Sequence, residues 1–166
     1  MIAGIGLATC RLRIRACLIT GILSVTLLGG CADEPEIRLA DGSTGDWDQW
    51  QGRWILINYW AEWCAPCREE IPELNRVHED GADGRLVVLG VNFDGLSGEA
   101  LSDLVQQMGI AFPVIQDDPR ARWQQPLPGV LPSTLVIDPE GKLRNVLVGP
   151  QTFESLSRAV QATSTM

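Results

Sequence analysis

Apolar side chains gather in short runs along this chain, separated by Gly, Pro and acidic residues. The strongest run is Trp54-Ile55-Leu56-Ile57-Asn58-Tyr59-Trp60. This strongly apolar run predicts a strand. Leu86 to Val91 predicts a second buried strand, Pro113-Val114-Ile115 a short third and Thr134 to Ile137 a fourth. Asp138-Pro139-Glu140-Gly141 reads as a turn that returns Lys142 to Val148 as a hairpin partner. Upstream, Ile37-Arg38-Leu39 alternates, Asp41-Gly42 turns, and Trp47 to Trp50 leads into the strong strand, predicting a small N-terminal hairpin.

Helical spacing fills the gaps between the strands. Ile71, Leu74 and Val77 predict a helix from the region of Cys67 to about His78, with Pro72 kinking it from inside. Leu101, Leu104, Val105 and Met108 follow i, i+3, i+4, i+7 across Ser97 to Met108, and Gly109 is a natural stop. Asp118-Pro119 supplies an N-cap and a first-turn proline for a short helix through Trp123. Pro126, Pro128 and Pro132 punctuate the following loop, and Phe153, Leu156 and Val160 mark a closing helix from Thr152. The order, hairpin then β-α-β-α-β-α-β-β-α, predicts an α/β domain with a mixed central sheet flanked by helices.

The first 31 residues break this pattern. They hold no Asp or Glu, carry Arg11, Arg13 and Arg15, and continue into an apolar stretch from Ala16 to Leu28. Such a stretch falls short of the ~20 residues needed to span a bilayer. A basic start, a short apolar core and a small-residue exit describe a secretory signal. The exit, Leu27-Leu28-Gly29-Gly30-Cys31, resembles a bacterial lipoprotein signal, in which Cys31 becomes the lipidated first residue. The competing reading is an uncleaved signal anchor with Cys31 a bystander. The lipoprotein reading divides the chain into a signal over 1–30, a tether over 31–36 and a folded domain over 37–166. It locates the domain outside the cytoplasm on a membrane. Ala32 after the cysteine leans toward the outer membrane, with the inner membrane still open.

Composition and charge sharpen this picture. The chain has 166 residues, 45% hydrophobic and 20% charged, enough for one globular domain plus the leader. Without the three leader arginines, 10 basic side chains face 21 acidic ones, a balance of −11. That balance argues against nucleic acid as a partner and against tight docking on anionic lipid heads. Of five cysteines, Cys10 and Cys17 fall in the leader and Cys31 at its end, so Cys64 and Cys67 alone remain in the domain. One close pair is a working couple rather than a scaffold of staples.

That pair lies in Trp63-Cys64-Ala65-Pro66-Cys67-Arg68, directly after the strongest strand. A helix opening there would offer unpaired N–H groups and a positive dipole end, which favour thiolate over thiol. The two-residue gap lets the sulfurs close on each other. The motif therefore predicts a reversible dithiol/disulfide couple.

The block from Ile57 to Cys67 resembles the thioredoxin active-site segment. Val130-Leu131-Pro132-Ser133-Thr134 through Lys142 resembles the cis-proline segment of TlpA/ResA-type proteins, membrane-tethered extracytoplasmic members of the thioredoxin superfamily. The likeness spans about residues 37–162 and includes the inserted helix at 97–108. It implies a thioredoxin-like fold and a protein-disulfide oxidoreductase working mainly as a reductase. Cys64 is then the nucleophile at the exposed helix end, and Cys67 the buried resolving thiol. Pro132 is a cis-proline that leaves the Leu131 backbone free to pair with an extended substrate, beside Trp63. Pro72 matches the kinking proline, and Gly149 a glycine where a side chain would crowd the site. Thioredoxins carry a buried Asp six residues before the nucleophile; here stands Asn58, which cannot exchange a proton. Glu70, three residues after Cys67, is the candidate proton handler, with a solvated first-turn carboxylate as its alternative. Glu69 and Glu62 read as surface residues.

The resemblance calls for no cofactor and no metal. It implies disulfide-containing exported clients, apocytochrome c among the possibilities, a membrane thiol donor of electrons and a monomer. Two other readings compete. A peroxidase of the same fold needs Pro-x-x-x-Thr-x-x-Cys, which the residues before Cys64 do not match. A copper-binding module could use the two thiolates, but His78, the sole histidine, lies too far along the helix to join them.

Overall fold

The seven-residue strand β3 (Trp54–Trp60) is the axis of the molecule, because its side chains are buried on both faces. The computed structural model describes residues 37–161, apart from the Ala82 side chain. The leader, Cys31 and the tether lie outside them. A five-stranded sheet is ordered β5-β4-β3-β6-β7, with β4 Leu86–Asn92, β5 Val114–Ile115, β6 Ser133–Ile137 and β7 Leu143–Val148. β3, β4 and β5 run parallel, whereas β6 and β7 are antiparallel to their neighbours. The sheet is mixed, as the order of elements predicted.

Alternation along β3 sorts the core into two layers. Leu56 and Trp60 face a cluster that takes Ile71, Leu74 and Val77 from α1 (Ala65–Asp80), Leu101 and Leu104 from α2 (Gly98–Gln107) and Leu156 from α3 (Phe153–Gln161). Ile55, Ile57 and Tyr59 face a second cluster with Ile37, Trp47 and Trp50. α1, α2 and α3 thus all contribute to one face. The other is covered by the N-terminal segment and by short 3₁₀ turns at Trp47–Trp50 and Pro119–Trp123. Full burial of each large aliphatic side chain here is worth ~1.5–3 kcal/mol.

The expected hairpin forms from β1 (Ile37–Arg38) and β2 (Thr44–Gly45), paired antiparallel. The same segment also zips onto β5. Ala40 N–H donates to Val114 O at 2.8 Å, Gln116 N–H to Arg38 O at 2.9 Å, and Leu39 bridges Ile115. Pro72 stands inside α1 on its exposed side. No helix among the described residues is long and apolar enough to cross a membrane.

Candidate active site

β3 delivers the cysteines. Its last residue, Trp60, is followed by Ala61-Glu62-Trp63, and Cys64 then caps α1 in an extended conformation, φ −83° and ψ 97°. Pro66 sits in the first helical turn, where its missing N–H costs nothing. Cys64 and Cys67 are joined by a disulfide of 2.06 Å, with Cα atoms 5.3 Å apart. Cys64 Sγ also accepts the Cys67 N–H at 3.3 Å, so the helix end already holds the atom that would carry thiolate charge. Cys67 is 1% exposed and Cys64 only 4%. This corrects the expectation of an exposed nucleophile. In the oxidised couple Cys64 is bonded to Cys67 and caps the helix, and as a residue it is the more open of the two by a small margin.

The sheet register brings the proline loop to the same end. Tyr59 lies opposite Ser133, which follows Pro132 directly. The Leu131–Pro132 peptide bond is cis. Neither the N–H nor the C=O of Leu131 is hydrogen-bonded among the described residues. Pro132 O accepts the Gly149 N–H at 2.9 Å. Gly149 has φ +86°, with open space where a Cβ would stand. The glycine is therefore needed for its left-handed backbone and not, as expected, to avoid crowding.

Trp63 stands 63% exposed beside the cysteines. Its indole N–H is shared between both oxygens of Asp94, each at 3.2 Å, and its ring meets Phe93 edge-on. β4 ends at Asn92, so Phe93 and Asp94 reach this end of the sheet through the parallel pairing of Trp60 with Asn92. Val130 and Val148 add exposed apolar surface around Leu131, Val148 lying opposite Ser133. Asp94 and Phe93 carried no local sequence signal; only the strand pairing reveals them.

Beneath the disulfide lies a buried carboxyl. Cys67, Glu70, Ile71, Leu74 and Val77 form the buried stripe of α1, so Glu70 occupies an apolar position and not the solvated alternative. It is 1% exposed. Asn58 Nδ2 donates to Glu70 Oε2 at 3.3 Å and to Thr134 Oγ1 at 3.0 Å. Burial pushes the Glu70 carboxyl up to about 7, against the opposing pull of the Gln151 N–H and the Asn58 amide. Among the described residues Oε1 makes no hydrogen bond, although the Gln151 N–H lies near enough to the carboxyl to favour its charged form. Glu69 and Glu62 are exposed, and Glu62 O is gripped by the Arg68 guanidinium.

His78 is half-buried, and Nδ1 accepts the Val88 N–H at 3.3 Å. Burial lowers its pKa. Among the described residues, no three His, Cys, Asp or Glu side chains come together as metal ligands. A cleft of about 600 Å³ opens at the opposite end of the sheet, between Trp47, Trp50, Trp123 and Asp138, remote in register from the cysteines.

Comparison with known proteins places this geometry. The model of the AhpC/TSA family matches residues 29–146. The chain belongs to the AhpC/TSA family. It is 29% identical over 123 residues to thiol-disulfide oxidoreductase ResA of Bacillus subtilis, covering 73% of this chain and 68% of that protein. It is 32% identical over 143 residues to thiol:disulfide interchange protein HelX of Rhodobacter capsulatus, covering 81% and 76%. Among solved structures, a DsbF homologue from Corynebacterium diphtheriae superposes with a TM-score of 0.66 at 28% identity, covering 78% of this chain and 83% of that one. This AhpC/TSA member has the thioredoxin-like fold and is a thiol–disulfide oxidoreductase.

Proposed function

We propose that this protein reduces disulfides of exported proteins outside the cytoplasm through the Cys64/Cys67 couple. The observation that carries the reading is the closed disulfide at the start of α1, at the same sheet end as the unpaired Leu131 backbone. An extended client would pair with Leu131, flanked by Trp63 and held against Pro132. Cys64 thiolate attacks a client disulfide sulfur, and one client thiolate departs. Cys67 thiolate then attacks Cys64 Sγ, releasing the second client thiolate and restoring Cys64–Cys67. The placement of Cys64 as the helix cap and of Cys67 within the buried stripe of α1 supports this division of roles. Glu70 takes the Cys67 proton; a buried carboxyl near neutrality is suited to that task.

The Cys31 motif supports lipid attachment, with residues 31–36 tethering the domain and a membrane thiol donor re-reducing it. The secretory-type leader and the TlpA/ResA-type resemblance of the active-site and proline segments support exported clients, with apocytochrome c cysteines as one class. Couples of this kind span about −270 to −120 mV, roughly 7 kcal/mol for two electrons.

Trapping tests the reading. A Cys67→Ser chain expressed in its native envelope is expected to hold clients as mixed disulfides on Cys64. Absence of trapped protein, or peroxide turnover faster than disulfide reduction by the wild type, would overturn it. Cys31→Ser is expected to release the protein from membranes and to abolish palmitate labelling.

A further inference from the structure

Asn58 lies in the middle of β3, opposite Thr134 on β6 and Gly90 on β4. It is 1% exposed. A primary amide has two N–H hydrogens, and here each has a separate acceptor, Glu70 Oε2 and Thr134 Oγ1. Turning the amide over would set Oδ1 against a carboxylate oxygen. The orientation is therefore fixed from two sides, one on α1 and one on β6. The two Glu70 oxygens become unequal as a result. Oε2 has a donor; among the described residues Oε1 is buried with none. A buried oxygen without a donor is costly when charged and far less so when it carries a proton.

We propose that Asn58 is a positioning residue: its amide keeps Glu70 Oε2 as an acceptor and makes Oε1 the oxygen that takes the Cys67 proton. This rests on the Glu70 role proposed above. Cys67 stands one helical turn from Glu70 on the same buried stripe. In the resolving step, the Cys67 S–H bond breaks and its proton passes to Oε1. The thiolate forms a bond to Cys64 Sγ as the bond from Cys64 to the client sulfur breaks. The proton held on Oε1 then neutralises the departing client thiolate.

Among the described residues no charged side chain acts on Glu70: burial, the Gln151 N–H and the Asn58 amide are the influences on its carboxyl. On α1 the neighbouring titratable groups are Cys67 and Glu73, and Glu73 Oε2 is engaged by the Phe153 N–H of α3 at 2.8 Å. β3 supplies Asn58, β6 supplies Thr134, and the segment before α3 supplies only the Gln151 backbone N–H.

The experiment follows two titrations in the full chain. Carboxyl NMR with ¹³C-labelled Glu reports the Glu70 midpoint in the oxidised protein. Alkylation against pH in a Cys64→Ser background reports Cys67. Asn58→Leu is expected to raise the Glu70 midpoint by about one unit, since a hydrogen bond to the ionised form is lost. It should also move the Cys67 profile, with no additional shift once Glu70→Gln is present. An unshifted Glu70 midpoint in folded Asn58→Leu overturns the inference. Should that variant not fold, Asn58→Asp is expected to titrate in two steps with the upper strongly raised; a single unshifted step overturns it equally. Failure of the Glu70 role itself reads differently: Glu70→Gln would then leave the Cys67 profile unmoved.

Discussion

Trp63, proposed above to flank the client, is held at the surface by a polar contact. An indole that is mostly exposed would sample several rotamers, each costing entropy when a client docks. The two-oxygen clasp by Asp94 and the edge contact with Phe93 hold it in one. Asp94→Asn removes charge and half of the acceptor capacity. Steady-state kinetics with a protein disulfide are expected to show KM raised about 2–10-fold with kcat little changed. Thermal stability should fall by no more than about 1 kcal/mol, because the bond is solvent-exposed. At Gly149 the expectation reverses. Ala has room there, yet φ +86° penalises any Cβ, so Gly149→Ala is expected to cost about 1–2 kcal/mol in urea unfolding. Cys64, Cys67 and Pro132 were legible as motif residues. Glu70 was legible only as an offset from Cys67; the apolar stripe on which it falls is the stronger sign of its burial. Asp94 was not legible, since its role depends on β4 ending beside β3, a pairing that no local pattern encodes.

Elements followed their hydrophobic spacing closely, because each apolar run is long enough to choose its period. β3 and β4 were expected from continuous Val, Ile and Leu content and occur within a residue of the expected bounds. α1 begins at Ala65, inside the motif, since Cys64 is its cap. The assignment of faces could not be read. α1, α2 and α3 join one layer, and the opposite layer includes Trp47, Trp50 and Ile37. β4 also contains a glycine whose reason lies across the sheet. A Cβ on Gly90 would stand 2.9 Å from Val114 Cγ2, 3.0 Å from Trp60 Nε1 and 3.1 Å from Phe112 Cε2. Gly90→Ala is expected to destabilise the domain by about 1–3 kcal/mol through forced repacking between β4, β5 and Trp60. Chemical denaturation with an unchanged m-value would check it.

At the scale of the whole molecule, the buried carboxyl links folding to pH. A carboxyl raised from 4.5 to about 7 binds its proton more tightly folded than unfolded. Its favourable contribution is complete below the unfolded value and is lost as pH rises through the folded one. The oxidised wild type is therefore expected to lose stability between about pH 4.5 and 7, by an amount on the order of 3 kcal/mol. Glu70→Gln should flatten that window in urea titrations taken at successive pH values. A wild-type curve already flat there would show that the carboxyl is not protonated on folding.

The two rims of the sheet are unequal. β5 is zipped by the chain's own residues 38–40, whereas β7 forms the open rim and exposes Val146 and Val148. Edge-to-edge growth of a sheet needs two open rims per copy, one to receive and one to offer. Among the described residues, β5 has spent its outer backbone groups on the chain's own segment, which leaves β7 as the rim of this five-stranded sheet able to receive another strand.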